Sequence, residues 1–222
     1  MTAMPDPHEY LREGLARLAV PEPDSVCARL ECFLAELERW NPRFGLVKHE
    51  GMEELVIKHV LDSLSAWTTI RDAMGSAAGT VLDVGSGAGF PGIPLAIALP
   101  QGRFTLLERM TKRAAFLRTS GVLLGLTELR VLACDLGELR DSFDVVTFRA
   151  VAPLDRFLTD IEASAVRWRT IVAYKGRRER AMQEIEESSR ARAGLYAMDA
   201  RPLSTPFLEE ERCMIVVSHL PD

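Results

Sequence analysis

The first third of the chain alternates apolar and polar positions with a helical period. Six apolar residues recur at intervals of one, three or four positions, which places them on one face of a helix. They are Val26, Leu30, Phe33, Leu34, Leu37 and Trp40. Pro42 is expected to end this helix, because proline has no backbone N–H to donate. A second helix is predicted from about residue 53 to 69.

After residue 78 the pattern changes to short apolar runs that alternate with helical segments. Strands are predicted at 81–84, 103–107, 129–133, 143–148, 170–174, 194–202 and 212–218, with helices between the first five. This alternation is typical of a mainly parallel sheet covered on both faces, a doubly wound α/β fold. The last two strands have no helix between them and are expected to form an antiparallel edge.

A glycine-, serine- and alanine-rich stretch, MGSAAGT at 74–80, separates the two patterns. The chain is therefore predicted to have an N-terminal helical region, residues 1–78, packed on a Rossmann-like domain, residues 79–222.

The first predicted strand runs into a glycine loop, VLDVGSGAGFPG at 81–92. Gly85, Gly87 and Gly89 stand at alternate positions, as a loop needs if it must turn tightly beneath a ligand. A helix is expected to begin after Pro91. In this fold class such a loop binds its ligand at the carboxyl end of the strand, beside the helix N-terminus.

Two cofactors fit a glycine loop, and one acidic residue favours one of them. Residues 87–92 match the dinucleotide fingerprint GxGxxG, so a nicotinamide dinucleotide has to be weighed. Asp83 precedes the loop and could receive the cationic amino group of S-adenosylmethionine, directly or through water, whereas it would repel a pyrophosphate. Glu108, at the end of the second strand, could accept the ribose hydroxyls of either cofactor. A glycine turn without a ligand is the third interpretation.

The third predicted strand leads into Asp135, Leu136 and Gly137. In this fold class that loop reaches the adenine, so Asp135 could accept from the adenine amino group, and the next two residues could meet the ring through their backbone. Asp135 could equally be an ordinary helix N-cap, and both roles are compatible.

Composition adds few constraints. The four cysteines form no CxxC pair and the four histidines are scattered, so reduced thiols and no metal site are expected. No apolar run is long enough to span a membrane and the N-terminus is polar, so a cytoplasmic protein is expected, with no membrane partner.

The charge is distributed unevenly along the chain. The net charge is −5, yet residues 167–192 hold eight Arg or Lys against four Glu, which gives that segment +4 and leaves the remainder at −9. A positive face for nucleic acid is one interpretation, and a solvated helix with internal ion pairs is the other.

Several segments together resemble the GidB/RsmG family, bacterial 16S ribosomal RNA guanine-N7 methyltransferases. The resemblance covers about residues 37–217, and the glycine loop alone would indicate only a class I methyltransferase. The matching segments are ERWNPRFGLV (38–47), IKHVLDSL (57–64), VLDVGSGAGFPGIPLAI (81–97), LLERMTKRAAFL (106–117), FRAVAPL (148–154), YKG (174–176) and ERCMIVV (211–217).

The resemblance implies S-adenosyl-L-methionine as cofactor and the small ribosomal subunit as partner, with a monomer expected. It implies that Gly85 and Phe90 contact the cofactor and that Leu136 and Gly137 lie beside the adenine. The chain departs from the family pattern at Gly45 and Val47, where Asn and Thr are usual. It also departs at 135–137, where the family often has Arg-Ala-Glu, and the reaction class that the resemblance implies is unaffected.

The resemblance also points to Arg149, beside the cofactor and the target, and Lys175 is expected to face the same crevice. N7 of guanine has a lone pair and no proton, so no general base is required, and both residues are interpreted as holding an RNA phosphate or guanine O6. A salt bridge from Arg149 to Asp83 or Glu108 is the structural alternative. Arg177, Arg178 and Arg180 are expected to contact RNA phosphates, while His59 and Asp62 are expected to support the fold.

Three classes of function are weighed. The leading one is RNA methylation, with another methyltransferase substrate as its variant. A nicotinamide-dependent reductase is second, and Asp83 argues against it. A non-enzymatic RNA-binding factor is third, and the intact loop and Glu108 argue against it.

Overall fold

Seven strands form one sheet in the computed structural model of the protein, which describes residues 6–220. The strands are β1 (Thr80–Val84), β2 (Arg103–Leu107), β3 (Leu129–Leu132), β4 (Ser142–Arg149), β5 (Arg167–Lys175), β6 (Tyr196–Leu203) and β7 (Arg212–His219). Their order across the sheet is β3-β2-β1-β4-β5-β7-β6. Residues 1–5 of the expected helical region and 221–222 of the expected Rossmann-like domain lie outside the described residues.

The pairing confirms the predicted α/β class. Strands β1 to β5 are parallel, and β7 is antiparallel to both β5 and β6. The strand order reverses beside β1, so the carboxyl ends of β1, β2 and β4 open into one crevice, where ligands bind in such sheets.

Helices cover both faces of the sheet. They are α1 (Pro7–Arg17), α2 (Pro23–Phe44), α3 (Met52–Glu54), α4 (Asp62–Leu64), α5 (Trp67–Met74), α6 (Gly92–Ala98), α7 (Thr111–Leu123), α8 (Leu154–Glu162) and α9 (Arg178–Ala191). All seven residues of α6 are buried, as expected for a helix enclosed between the sheet and the N-terminal helices.

The prediction that the first long helix ends at Pro42 is wrong. Helix α2 continues to Phe44 and ends at Gly45, whose left-handed conformation lets its N–H donate to the Asn41 carbonyl. A proline in the last turn removes a single intrahelical hydrogen bond, so the helix can pass through it. The Asn41 side chain then exchanges two hydrogen bonds with the backbone of Val47.

The single helix predicted at 53–69 is also wrong. The chain forms α3, then a π-helix at Leu55–Leu61, then α4, and breaks before α5 begins at Trp67. Serine side chains bond to the preceding turn here, since Ser63 Oγ donates to the His59 carbonyl and Ser65 Oγ to the Asp62 carbonyl. Such bonds compete with the regular helical pattern.

No α-helix connects β3 to β4, contrary to expectation. Among the described residues this connection contains only a 3₁₀ turn at Leu136–Glu138. The connection is short and includes Gly137, which has a low helix propensity. The other three predicted connecting helices, α6, α7 and α8, are confirmed.

Two hydrophobic clusters lie on opposite faces of the sheet. The first joins residues of α1, α2 and α5 to β1 and α6, with Phe33 and Phe116 among its fully buried side chains. The second packs α8 and α9 onto the other face around Phe148 and Phe157, whose rings stack at 3.8 Å. The N-terminal helices therefore share a hydrophobic core with the sheet. The domain boundary near residue 78 stays a prediction.

A buried arginine joins α8 to the end of α9. The side chain of Arg192 is 7% exposed and contacts Asp155 at 2.5 Å and Glu162 at 2.7 Å. Its guanidinium also donates to Thr159 Oγ1. Removing it would leave two carboxylates without their cation.

Arg192→Ala is therefore expected to lower the free energy of unfolding by about 2 kcal/mol. Arg190→Ala is the matched control, because Arg190 pairs with Glu186 on the exposed face of the same helix, where ion pairs contribute less than about 1 kcal/mol. Urea unfolding followed by circular dichroism measures both. Equal losses in the two variants would contradict the assigned role of Arg192.

Candidate functional site

The glycine loop turns as its spacing predicts. Gly85, Gly87 and Gly89 have φ values of +70°, +55° and +93°, a region that favours glycine. At Gly85 an added Cβ would lie 2.8 Å from Val151 Cγ2, so this glycine also allows the loop after β4 to approach.

Asp83 lies beneath this loop and is fully buried. Its Oδ2 accepts a hydrogen bond from the Gly92 N–H at 3.1 Å, so the carboxylate links the end of β1 to the start of α6. A Cβ on Gly92 would lie 2.6 Å from Asp83 Oδ2, which explains the glycine there. Asp83 Oδ1 has no hydrogen-bond partner among the described residues and remains able to accept a donor.

The environment of Asp83 disfavours its charge. Burial raises its pKa to about 7, while the Gly92 N–H and the positive charge of Arg149 act in the opposite direction and the negative charge of Glu108 adds to the rise.

Glu108 holds the glycine loop from the neighbouring strand. Its Oε2 accepts from the Gly87 N–H at 3.0 Å and its Oε1 from the Met110 N–H at 2.8 Å. Each carboxylate oxygen has a second lone pair, so the group can still accept a donor from the crevice.

A crevice of about 760 Å³ opens at the carboxyl ends of β1, β2, β3 and β4. Five of the predicted site residues line it: Gly85, Glu108, Asp135, Leu136 and Gly137. Asp83, Gly87, Gly89, Phe90, Arg149 and Lys175 are not among its lining residues. Asp135 also begins the 3₁₀ turn, so the N-cap interpretation and a place in the crevice hold together.

Arg149 is held in a network on the face of the N-terminal helices. Its guanidinium contacts Asp62 Oδ2 at 2.9 Å, the Lys58 carbonyl at 3.1 Å and His59 Nδ1 at 3.0 Å. Arg149 therefore has an ion-pair partner, but the partner is Asp62 rather than the expected Asp83 or Glu108. Burial, and then the charge of Arg149, lower the pKa of His59 to about 4, so the imidazole is neutral at pH 7 and can accept from the guanidinium.

Phe90 packs into the core beside this network. Its ring lies 5.4 Å from the Arg149 guanidinium, 5.2 Å from the His59 ring and 5.4 Å from the Phe33 ring. Phe90 thus anchors the end of the glycine loop to the N-terminal helices. Its expected direct contact with a cofactor stays a prediction.

Lys175 lies on the opposite face of the sheet from Arg149, so the expectation that both face one crevice is wrong. Arg149 pairs in register with Tyr174, whose hydroxyl donates to the Ser63 carbonyl, and successive side chains of a strand alternate between faces. Lys175 Nζ instead contacts Glu184 Oε2 at 2.6 Å, near the Phe148 ring.

The Lys175–Glu184 pair supports the loop that follows β4. Glu184 Oε2 also accepts from the Leu154 N–H at 2.7 Å, and Lys175 Nζ lies 3.4 Å from the Ala152 carbonyl. Residues 150–152 of this loop line the crevice. The Lys175–Glu184 pair therefore supports the crevice wall through contacts with the backbone of Ala152 and Leu154, without lining the crevice itself.

Part of the crevice lining is not predicted by the sequence patterns. Arg109, Met110, Arg113 and Arg156 line it together with 150–152. Position alone could have indicated them, because residues just beyond parallel strands meet at the carboxyl edge. Another cavity, of about 880 Å³, is lined mainly by glutamates and apolar residues at 50–58 and 207–210, away from the glycine loop.

Other features of the described residues are simpler. All four cysteines are free, as expected. Residues 6–220 contain no group of three or more His, Cys, Asp or Glu placed to bind a metal. In the same range, no helix is both long and apolar enough to cross a membrane.

The pKa of Asp83 predicts an unusual pH dependence of stability. A carboxyl group whose pKa rises from 3.8 to about 7 on folding keeps its proton to a higher pH in the folded state than in the unfolded state. Its contribution to stability is therefore lost as the pH rises from about 4 to 7. Asp83→Asn lacks this titration and keeps an acceptor for Gly92. Its free energy of unfolding, relative to that of the wild type, should increase by on the order of 3 kcal/mol between pH 4 and 8. Urea unfolding at several pH values measures this difference, and a pH-independent difference would contradict it.

Comparison with known proteins assigns the chain to a family. The model of the GidB family, described as rRNA small subunit methyltransferase G, matches residues 26–215. The ribosomal RNA small subunit methyltransferase G of Treponema pallidum is 38% identical over 228 residues, covering 98% of this chain and 96% of the relative. The protein of that name from Neisseria gonorrhoeae is 33% identical over 214 residues, covering 95% and 97%.

Solved structures agree at the level of the fold. The METTL16 MTase domain superposes with a TM-score of 0.62 at 15% identity, covering 86% of this chain and 80% of that one. A human methyltransferase 10 domain containing protein gives a TM-score of 0.58 at 14% identity, covering 86% and 97%. The fold is therefore that of class I methyltransferases, and the extent of the sequence match shows that this chain belongs to the GidB family, rRNA small subunit methyltransferase G.

Proposed function

We propose that this protein transfers a methyl group from S-adenosyl-L-methionine to N7 of a guanine in 16S ribosomal RNA of the small subunit. The observation that supports this most is the crevice itself, in which the glycine loop, Glu108 and residues 135–137 meet at the carboxyl ends of the parallel strands. The family and its relatives, named for methylating small-subunit ribosomal RNA, supply the substrate class. We further propose a cytoplasmic monomer that needs no metal.

The residues of the crevice fit this cofactor. A volume of about 760 Å³ is within the usual range for small-molecule sites. Glu108 can accept the ribose hydroxyls with its remaining lone pairs. The Oδ1 of Asp83, which has no hydrogen-bond partner in the described range, can accept from the methionine amino group directly, or through water if the loop stays between the two groups. Residues 135–137 offer backbone and carboxylate groups to the adenine.

The reaction requires positioning more than proton transfer. The bound cofactor supplies a methyl group on a positively charged sulfur. Glu108 and residues 135–137 would hold this cofactor, and a guanine presented over the crevice would offer the lone pair of N7, which carries no proton. No proton leaves the base, so the chain need only hold the two partners in line.

We propose that Arg149 and Lys175 are positioning residues. Both are already paired, Arg149 with Asp62 and Lys175 with Glu184, and neither is among the lining residues of the crevice. Arg149 orients the glycine loop through Phe90, and Lys175 orients the loop at 150–153. This positioning role differs from the direct contact with an RNA phosphate or guanine O6 that the sequence suggested for both residues.

Two other functions remain as alternatives. A nicotinamide-dependent reductase would use the same crevice, but Asp83 beneath the loop disfavours a pyrophosphate, and the family relatives are named as methyltransferases. An RNA-binding factor without methyltransferase activity would keep the positive charge of residues 167–192, but it would not require Glu108 to bind a cofactor. Both predict no methyl transfer.

Transfer of labelled methyl from S-adenosylmethionine to small ribosomal subunits that lack N7 methylation tests the proposal. The product is mapped by cleavage at 7-methylguanine. Incorporation at a single guanine of 16S rRNA is the expected result. If S-adenosylhomocysteine binds but no methyl is incorporated, the proposed cofactor is retained and the proposed substrate is rejected. If neither binding nor incorporation is observed, both assignments are rejected.

Glu108→Gln is expected to weaken the binding of S-adenosylhomocysteine about tenfold or more. An amide cannot accept from both the Gly87 and Met110 N–H groups and also from the ribose, and the lost bonds are charge-assisted. Asp160→Asn is the control, because Asp160 lines the same crevice but pairs with the exposed Arg156. Calorimetric titration measures both affinities, and equal affinities would contradict the assignment.

Lys175→Met and Glu184→Gln are expected to lower kcat similarly, several-fold, with a double variant no worse than either single one. This follows because the pair holds one loop as a unit. If the Lys175 ammonium acted on the substrate directly, Glu184→Gln would leave kcat near that of the wild type. Glu187→Gln, exposed on the same helix, is the control for surface charge. Single-turnover methyl transfer distinguishes the two cases.

A further inference from the structure

Two groups of cations flank the crevice on the carboxyl edge of the sheet. The first flanking group, which follows β2, is Arg109, Lys112 and Arg113. The second flanking group, which follows β5, is Arg177, Arg178 and Arg180. Five of these six residues are exposed, and Arg113 is half-buried.

Neither flanking group is neutralised. Within residues 6–220 none of the six has a carboxylate within 4.0 Å. Four other cations of the segment 167–192 have a carboxylate partner, which is Asp144 for Arg169, Glu184 for Lys175, Glu186 for Arg190, and both Asp155 and Glu162 for Arg192. The interpretation of this segment as a solvated helix with internal ion pairs therefore holds for its carboxyl-terminal part, and not for residues 177–180.

The sheet sets the spacing of the two groups. Strands β1 and β4 lie between β2 and β5, so the two groups are separated by three strand spacings, about 14 Å. The crevice opens between them, with Gly85 after β1 and residues 150–152 after β4. A chain of phosphates that passes over the crevice can therefore contact one group on each side.

The walls of the crevice suit an unstacked base. Met110 and Val151 line it and are 50% and 43% exposed, which provides apolar surface at its entrance. Guanine N7 lies in the deep, narrow major groove of an RNA duplex, which protein side chains cannot enter. A reaction at N7 therefore requires a base that is single-stranded or turned out of its stack.

We propose that the carboxyl edge of the sheet binds one single-stranded RNA segment across the crevice, with phosphates held by the first flanking group on one side and the second on the other. This proposal rests on the proposed function, since it names how the RNA substrate lies over that site. Because the net charge of the chain is −5, binding of nucleic acid requires a local group of cations such as these two flanking groups.

The test compares three double variants with equal loss of charge. Arg109→Ala/Lys112→Ala removes part of the first group, and Arg177→Ala/Arg180→Ala part of the second. Arg12→Ala/Lys48→Ala is the matched control, because Arg12 and Lys48 are exposed and have no carboxylate within 4.0 Å in the described range, but lie on the N-terminal region. Each full-length variant, saturated with S-adenosylhomocysteine, is titrated with a guanine-containing single-stranded RNA of about a dozen nucleotides at several KCl concentrations.

Each flanking variant should weaken binding and reduce the slope of log K against log salt concentration by about 1.4, since each phosphate contact to a single strand contributes about 0.7. The control should match the wild type. A reduced slope in only one flanking variant would overturn the two-sided arrangement, and unchanged slopes in both would overturn the surface altogether.

Failure of the RNA surface and failure of the proposed function give different results. If the flanking variants bind RNA like the wild type but the wild type still methylates small subunits, only the surface assignment is wrong. If the wild type neither binds S-adenosylhomocysteine nor transfers methyl, the proposed function itself is wrong.

Discussion

The buried carboxylate of Asp83 is the interaction on which the site depends. Its hydrogen bond from Gly92 ties the end of β1 to the start of α6, and the glycine loop is the segment between those two points. Glu108 then fixes the middle of the loop through Gly87. Keeping a carboxyl group away from water raises its pKa and costs stability near neutral pH. A protein retains such a cost where function requires it, and a cofactor amino group that approaches Asp83 Oδ1 would offset it.

The two faces of the sheet support the crevice in different ways. On one face, Arg149 contacts His59 and Asp62 of the N-terminal region and also packs near the Phe90 ring, which holds the N-terminal helices against the glycine loop. On the other face Lys175 and Glu184 hold the loop that follows β4. Arg149 and Lys175 end neighbouring strands, but the alternation of side chains sends them to opposite sides. The crevice walls are thus positioned by ion pairs that do not line it, while the two flanking groups of cations have no acidic partner among residues 6–220.

Much of the fold follows from the sequence. The strands, the glycine loop and the antiparallel edge have strong local signals, because the period of apolar positions and the glycine spacing are properties of short segments. The sequence-based predictions were wrong where contacts between distant parts of the chain determine the local structure. Helix α2 passes through Pro42 because its end is fixed at Gly45, and the π-helix at 55–61 accompanies the contacts of Lys58, His59 and Asp62 with Arg149. The partner of Arg149 could not be inferred, since Asp62 is 87 positions away in the chain.

The most direct test of the central claim is to map where S-adenosylhomocysteine binds, from backbone amide chemical shifts of the ¹⁵N-labelled protein. The account predicts that the largest changes fall on residues 85–87, 108–110 and 135–137, with smaller changes at 150–152, and that residues 177–180 remain unaffected until RNA is added. Changes concentrated instead around residues 50–58 and 207–210, which line the other cavity, would contradict it.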